Sequence, residues 1–280
     1  MTWLYLAIIA AVLFSLNSLL GRVLSVKSEN PRAFAFVYNT LGGIVVLSFF
    51  LFEPFVLREI PRFIFVLLGI NIILYGIFNR FEFYARKHVE TSTLTVLTKF
   101  IPVITFALSV LFLRESISYH KILAAFLITG GTFLAVYKKS FSFADKGLKY
   151  AFIIILTLGF AWTIDKKASG YFPLPLYAFL FYVPPNIFLY FFPKLKFEDI
   201  KKEIKIASWK IFILAFVNVC AYFTLLKSFQ YGEASKIVLI TSTSTIITVL
   251  AGVFLLKEKN NFLRKIVAAC IVVFGALLLK

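Results

Sequence analysis

The chain has 280 residues, of which 61% are hydrophobic and 15% are charged, and its formal net charge is +17. Soluble domains usually carry about a quarter of charged residues, so this composition excludes an ordinary water-soluble fold. A positive excess of this size indicates nucleic-acid binding in a soluble protein, but here the lysines and arginines lie in short segments beside apolar runs. We therefore expect an integral membrane protein with lipid around it and no nucleic-acid partner.

Ten apolar runs follow one another along the chain, and each is long enough to cross about 30 Å of hydrocarbon as a helix. They are predicted at residues 2–22, 33–52, 62–86, 91–113, 119–137, 148–166, 175–192, 208–230, 234–256 and 262–279. The connections are short, except for a basic stretch at 194–210. The first run lacks the basic start and cleavage site of a signal peptide, so we expect it to be retained. The predicted fold class is an all-α integral membrane protein with about ten transmembrane helices.

An internal repeat relates the two halves of these runs. At an offset of about 143 residues, a series of residues in the fourth run recurs in the ninth. Glu90, Ser92, Thr98, Thr105, Val110, Leu113 and Glu115 recur as Glu233, Ser235, Thr241, Thr248, Val253, Leu256 and Glu258. We therefore predict two five-helix repeats, residues 1–140 and 141–280. Because five is odd, the halves enter the membrane from opposite sides and form inverted repeats.

Several local patterns resemble the drug/metabolite transporter superfamily, in particular its ten-helix EamA-type members, over nearly the whole chain. These patterns are Phe14–Asn17, Tyr84–Lys87, the apolar segment from Pro102 to Glu115, and the recurrence of its end at Leu256–Glu258. The Trp-Gly pair that is common in the first helix of that family is absent here. The resemblance implies a transporter of amino acids or related metabolites, often an exporter, in the cell membrane.

The orientation in the membrane has two conflicting indications. Loops after odd-numbered runs hold most of the 30 lysines and arginines, which favours a cytoplasmic position for those loops and places both chain ends outside. The family resemblance instead implies that both ends are cytoplasmic. Both orientations therefore stay open at this point.

Glycine and proline pairs interrupt two runs at matching places in the two halves. Gly42 and Gly43 lie in the middle of the second run, and Pro184 and Pro185 in the middle of the seventh. In the fourth run, Pro102 has Thr245 as its counterpart in the other half. Matched interruptions are where carriers bind substrates near the midplane, so these residues are hinge candidates. A structural kink with close helix packing explains them equally well.

An ionisable side chain inside a run is costly and marks a pathway or a buried partner. Lys99 lies inside the fourth run, and Glu82, with Asn79 one turn away, is its predicted acidic partner. Lys99 either contacts a substrate that carries a carboxylate or phosphate, or pairs with Glu82. Asp165 and Lys166, near the end of the sixth run, are expected to form a pair at the membrane interface.

Further polar and aromatic side chains inside the runs are candidates for lining a substrate pathway. The alternative for each asparagine is a hydrogen bond between helices, and for each hydroxyl a bond to its own helix. These candidates are Asn17, Tyr38, Asn39, Asn71, Tyr75, Trp162, Asn186, Asn218, Tyr222, Thr241 and Ser242.

The sequence shows no nucleophile and base pattern, no nucleotide-binding loop and no metal-ligand spacing, and its two cysteines lie in separate runs. We expect no enzyme, no cofactor and no metal. The predicted function is a secondary transporter of a small organic solute that works by alternating access. A membrane-embedded enzyme or scaffold is the alternative, as is a carrier of drugs, sugar nucleotides or lipid-linked compounds. Proton coupling, uniport and exchange stay open, as do a monomer and an oligomer.

Overall fold

A computed structural model describes residues 1–25, 27–53, 55–56, 59–88, 97–98, 100–136, 148–255 and 262–279. The helices of the first half are α1 (Thr2–Ser25), α2 (Pro31–Ser48), α3 (Arg62–His88), α4 (Phe100–Leu113) and α5 (Tyr119–Val136). Those of the second half are α6 (Leu148–Ala168), α7 (Leu174–Tyr182), α8 (Asn186–Phe191), α9 (Phe197–Ala207), α10 (Lys210–Tyr231), α11 (Ala234–Ser242), α12 (Ser244–Leu255) and α13 (Phe262–Leu277).

The chain is helical and spans the membrane several times. Six of its apolar segments are long enough to cross a membrane, and α4 and α5 are apolar but shorter within the described residues. The six are Thr2–Gly21, Pro31–Leu51, Arg62–Glu82, Leu174–Phe191, Lys210–Tyr231 and Ala234–Ala251. Every predicted run contains at least one of the helices, and the exact number of ten spans stays a prediction.

Two runs of the second half are broken helices. The seventh consists of α7 and α8, which are separated at Val183–Pro185, and the ninth consists of α11 and α12, which are separated at Thr243. A proline has no N–H to donate and its ring clashes with the preceding turn, which explains the first break. At the second break, the Ile240 carbonyl oxygen accepts hydrogen bonds from both the N–H, at 3.0 Å, and the hydroxyl, at 2.7 Å, of Thr243, which end α11.

Helix α9 occupies the basic stretch that the sequence analysis treated as a connection, so that expectation is corrected. Its Ile200 and Ala207 are buried and α9 packs against α2, whereas Phe197 and Ile204 are exposed. At the start of α2, Glu203 accepts hydrogen bonds from the Glu29 N–H at 2.9 Å and the Asn30 N–H at 2.7 Å. The charged residues of this stretch therefore belong to an amphipathic helix that is fastened to the bundle.

The packing of the helices follows the predicted repeat. Helix α1, the first of its half, packs against α10, and α3 packs against α6, the first of the other half. Equivalent helices also meet directly, α2 with α7, α4 with α11 and α5 with α13. Exchange of the two halves leaves this set of contacts unchanged, which is the pattern that an approximate two-fold axis produces.

Two polar contacts between helices show the same equivalence of the two halves. The Thr105 hydroxyl donates to the Gly159 carbonyl oxygen at 3.3 Å, which joins α4 to α6. Thr248, the repeat counterpart of Thr105, shares a hydrogen bond of 2.9 Å with Ser15, which joins α12 to α1. Each threonine therefore fastens the fourth element of its own half to the first element of the other half.

The directions of the helices show how the halves are placed. Glu115 follows the carboxyl end of α4, and its two carboxylate oxygens accept hydrogen bonds from the N–H groups of Ala234 at 2.7 Å and Ser235 at 2.9 Å, at the amino end of α11. Trp3 lies against Gly232 in the same region. We call this side, with Trp3, Glu115 and Gly232, the N-terminal face. Helices α4 and α11 occupy equivalent places and run in opposite directions, as in an inverted repeat.

Candidate functional site

The side chain of Asp165 is fully buried where four helices meet. Its Oδ1 accepts hydrogen bonds from Asn71 Nδ2 at 2.7 Å and from the Tyr177 hydroxyl at 3.1 Å. Its Oδ2 accepts from the hydroxyls of Tyr75 at 2.7 Å and Tyr222 at 2.9 Å. A carboxylate has about four acceptor positions, so these donors occupy all of them. We call these five residues the Asp165 cluster.

The Asp165 cluster is assembled by side chains that share faces of their helices. Asn71 and Tyr75 lie one turn apart on α3, and Tyr177 lies one turn before Phe181 on α7. The ring of Phe181 lies 4.5 Å from that of Tyr75, 4.6 Å from Tyr177 and 5.6 Å from Tyr222, measured between centroids. Aromatic rings at these distances pack edge to face or tilted and form a closed wall around the carboxylate.

The Asp165 cluster joins the two halves of the chain. Asn71 and Tyr75 come from α3 in the first half, whereas Asp165, Tyr177 and Tyr222 come from α6, α7 and α10 in the second. Each carboxylate oxygen thus has one donor from each half. Any movement of the halves apart removes one hydrogen bond from each oxygen.

The depth of the Asp165 cluster follows from the helix lengths. Asn71 lies nine residues after the start of α3 and Tyr222 nine residues before the end of α10, both counted from the N-terminal face. At 1.5 Å per residue this corresponds to about 13 Å along α3 and α10, whereas Asp165 and Tyr177 lie three residues from the adjoining ends of α6 and α7. The five side chains are between 0% and 8% exposed, so the site is closed in this conformation.

Lys166 does not pair with Asp165, and the predicted interfacial pair is wrong. The Lys166 ammonium donates to the carbonyl oxygens of Phe229 and, at 2.7 Å, Gly232, at the end of α10. Neighbouring residues on a helix point about 100° apart, so one side chain enters the interior while the next leaves it. The carboxyl end of a helix carries unpaired carbonyls and partial negative charge, which a lysine satisfies.

Two of the predicted asparagines, Asn218 and Asn186, form hydrogen bonds between helices. The Tyr182 hydroxyl donates to Asn218 Oδ1 at 2.6 Å. Asn186 Nδ2 donates to Thr40 Oγ1 at 3.0 Å, which joins α8 to α2. These contacts correspond to the alternative that the sequence analysis kept for the asparagines.

The hinge candidates behave differently in the two halves. Helix α2 is continuous through Gly42 and Gly43, so the predicted interruption of the second run is wrong. The glycines instead allow close packing, since a Cβ would lie 2.7 Å from Tyr182 Cδ1 at Gly42 and 2.3 Å from Val183 Cγ2 at Gly43. Both contacts are with the residues that directly precede Pro184 and Pro185.

Pro102 follows a turn at Thr98, and residues 91–96 and 99 of the fourth run lie outside the described residues, so the predicted role of Pro102 as a hinge stays a prediction. Pro102 is buried in the first turn of α4, where a missing N–H has little cost. The carbonyl oxygen of Thr98, which Pro102 cannot bond, accepts a hydrogen bond from the Ile101 N–H at 3.2 Å.

Lys99 lies outside the described residues, so its predicted pairing with Glu82 stays a prediction. Asn79 is buried on α3, and Glu82 on the same helix is half-buried. The hydroxyls of Thr241 and Ser242 donate to carbonyl oxygens of their own helix, Val238 at 3.1 Å and Leu239 at 2.7 Å. This is the local bonding that competes with a role in binding.

The remaining candidates lie at other places along the helix interfaces. Asn39 on α2 is buried, and Tyr38 beside it is half-buried. Trp162 on α6 is half-buried and packs against the core one turn before Asp165. Asn17 on α1 is half-buried, and its Oδ1 has no hydrogen-bond partner among the described residues. The structure does not bring these four into contact with Asp165.

The centre of the site, Asp165, and one of its donors, Tyr177, were not among the predicted site residues. Asp165 is three residues before the end of α6, but the turn Ser169–Tyr171 and the start of α7 follow directly and cover it. Tyr177 was not singled out. The available signal was an acid inside an apolar run, which is unusual enough to indicate function.

Comparisons with known proteins identify the family. The sequence model of the EamA-like transporter family matches residues 1–137 and again residues 145–280. One solved structure, described as "Crystal structure of protein", has a TM-score of 0.75 and 16% sequence identity, and the match covers 99% of this chain and 98% of that chain. This similarity supports the fold. No curated protein matches the chain.

Proposed function

Because this chain belongs to the EamA-like transporter family, of the drug/metabolite transporter superfamily, we propose that it moves a small organic solute across the membrane by alternating access. In this mechanism the two halves rock about a central site, which opens first to one side and then to the other. The solute class is an amino acid or a related metabolite, and the location is the cell membrane.

The observation that carries the proposal is the position of the Asp165 cluster. Its carboxylate is fully buried between the helices and is bonded by side chains from both halves. Ionisable groups in this environment cost several kcal/mol and are kept at substrate or ion pathways. A polar site at the junction of two repeats is the place where inverted-repeat carriers bind their cargo.

Contacts on the N-terminal face support a conformation that is closed on that side. Lys121, at the start of α5, pairs with Glu233 at 2.9 Å and donates to the Ser116 carbonyl oxygen at 2.6 Å. Glu115 accepts from the two N–H groups at the start of α11. The bonds of Lys121 to Glu233 and of Glu115 to α11 join the first half to the second, and they have to break if the site is to open toward this face.

Two measurements test the proposal. The purified chain in proteoliposomes is expected to catalyse saturable uptake of at least one radiolabelled amino acid or amine. A variant without Cys220 and Cys270 that carries Ser116→Cys and Glu233→Cys is then treated with a short bifunctional methanethiosulfonate reagent. These two side chains lie 3.3 Å apart, on opposite halves. Cross-linking is expected to stop uptake, and a reductant is expected to restore it.

The controls are the two single-cysteine variants, which the reagent modifies but does not cross-link. Uptake that persists in the cross-linked double variant contradicts opening at the N-terminal face. An absence of saturable flux for every solute class contradicts transport itself.

A further inference from the structure

We propose that Asp165 binds the ammonium group of the transported solute, so that the carrier selects amine-bearing compounds. This inference rests on the proposed transport function and specifies the chemistry of its site. It follows from the charge of the cluster, from one unpaired acceptor and from the way in which the halves share the donors.

The charge of Asp165 has no cation beside it among its described partners. Its four donors are three tyrosine hydroxyls and one amide, all of which are neutral. The adjacent Lys166 is bonded at the end of α10 and faces away. An ionised carboxylate in a dry interior is stabilised best by a positive charge, so this site is complementary to a cation.

An unpaired acceptor lies next to the carboxylate. Asn71 is fully buried, and its Nδ2 donates to Asp165, so its Oδ1 has to point elsewhere. This Oδ1 has no hydrogen-bond partner among the described residues. A buried amide oxygen without a donor costs about 1 to 3 kcal/mol, which is recovered when an N–H group binds to it.

The shared donors give an ammonium group a place to enter. When the halves separate, Asn71 and Tyr75 move with α3, and each oxygen of Asp165 loses one of its two hydrogen bonds. A primary ammonium has three N–H donors. Two of them match the vacated positions on Oδ1 and Oδ2, and the third matches Asn71 Oδ1 once the amide has turned its oxygen toward Asp165.

The walls of the site suit the same kind of ligand. The rings of Tyr75, Tyr177, Phe181 and Tyr222 surround the carboxylate with centroid separations of 4.5 to 6.2 Å between packed pairs. Aromatic faces attract cations, and they also pack against the carbon skeleton of a small solute. An anionic solute meets only the repulsion of Asp165 in the same place.

The first test compares amines with neutral compounds of the same shape. Proteoliposomes are assayed for uptake of radiolabelled phenethylamine, putrescine and lysine, with 2-phenylethanol and 1,4-butanediol as unlabelled competitors. At least one amine is expected to be taken up saturably, and the alcohols are expected not to compete. In detergent, the same amine is expected to raise the melting temperature of the chain, whereas its alcohol analogue is not.

The second test changes the carboxylate. Asp165→Asn is expected to lower amine uptake by at least about 30-fold, since a buried charge pair contributes that much or more to binding. Asp165→Glu, which keeps the charge, is expected to retain part of the uptake. Asp199→Asn, the same chemical change on α9, is the matched control and is expected to match the wild type. Size-exclusion profiles check that each variant is folded, and the melting-temperature comparison needs no variant.

Three results overturn the inference. One is a folded Asp165→Asn protein that carries amines as the wild type does. Another is saturable transport of a solute without an amine that is independent of Asp165, in which case the transport function stands. The third is uptake of such a solute that is driven by a pH gradient and lost in Asp165→Asn, because the cation at Asp165 is then a proton.

Discussion

Asp165 and Glu233 are both acids at the junction of the two halves, but their partners differ in charge. Glu233 pairs with Lys121 at 2.9 Å and with Lys236 at 3.4 Å on the N-terminal face. Partial burial tends to raise the pKa of Glu233, yet the hydrogen bond and charge of Lys121, together with Lys236, hold that pKa below its ordinary value of 4.5. Asp165 accepts hydrogen bonds from neutral donors alone among its described partners.

This difference distinguishes an acid that holds the two halves together from an acid that is available to a ligand. A carboxylate that a lysine already neutralises is complete without a ligand, so Glu233 fastens one half to the other. A buried carboxyl group with neutral donors alone is complementary to a cation that the described residues do not supply. The contrast predicts that changes at Asp165 alter transport and stability together, whereas changes at the surface acids alter stability or the closing of one face.

The largest effect is expected from Asp165→Leu. The substitution removes the acceptor of three hydroxyls and one amide in a dry interior, which costs about 3 kcal/mol or more. The melting temperature of the purified chain in detergent is expected to fall by several degrees. The melting temperature of Asp165→Asn, which keeps an acceptor, is expected to fall less. An unchanged melting temperature in Asp165→Leu contradicts a structural contribution of the hydrogen bonds.

A smaller effect is expected from Lys121→Met. The Lys121 side chain is 4% exposed and that of Glu233 is 33% exposed, so solvent screens part of their attraction. We expect a loss of about 1 to 2 kcal/mol, because the Ser116 carbonyl and Glu233 both lose a donor. A double-mutant cycle with Glu233→Gln is expected to give a coupling of about 1 kcal/mol. Additive single effects contradict the fastening role of this pair.

An effect of comparable size is expected at the start of α2. Glu203→Ala leaves the N–H groups of Glu29 and Asn30 without their acceptor, as the loss of a helix cap does, and costs about 1 kcal/mol. Lys202→Ala, at the residue before Glu203, is the control. Lys202 contacts Glu29 at 2.5 Å, but both side chains are about 60% exposed, so its removal is expected to change the melting temperature by no measurable amount. Equal effects of the two substitutions contradict the expectation that Glu203 stabilises the chain and the exposed Lys202 does not.

The smallest effect is a pH dependence of the N-terminal face. Because the pKa of Glu233 in the folded chain lies below 4.5, the stabilisation by its pair is fully present above that pH and is lost as the pH falls through the lowered pKa. The melting temperature of the wild type is expected to decrease more than that of Lys121→Met between about pH 5 and about pH 3. Parallel curves contradict the assignment of this dependence to Glu233.

The helices were largely predictable because hydrocarbon imposes a length on each apolar run. The repeat also indicated which helices are equivalent, and equivalent helices do meet in the structure. Helix α9 was missed because its 11 residues are amphipathic and rich in lysine, as an exposed connection is. The continuity of α2 through Gly42 and Gly43 was missed because glycine permits a bend without requiring one.

The site was predictable only in its parts. Asn71, Tyr75 and Tyr222 were chosen as polar or aromatic groups inside apolar runs, and all three bond to Asp165. Asp165 itself was assigned to the interface, because distance from the end of a run was taken as depth. Burial depends instead on α3 and α10, which are remote in sequence, and on α7, which follows the end of α6 and covers it. The role of Asn71, Tyr75 and Tyr222 in a solute pathway stays a prediction.

The side chains of Asp165 and Lys166 point in different directions, which limits the insertions and deletions that α6 tolerates. The two residues are neighbours on α6, and a rotation of about 100° separates an acid at the centre from a base at the end of α10. Deletion of a single residue in the preceding turns of α6 turns the helix by that angle and brings the lysine toward four groups that donate hydrogen bonds. Point substitutions are therefore expected among relatives throughout α6, whereas single-residue insertions and deletions before Asp165 are expected to be absent.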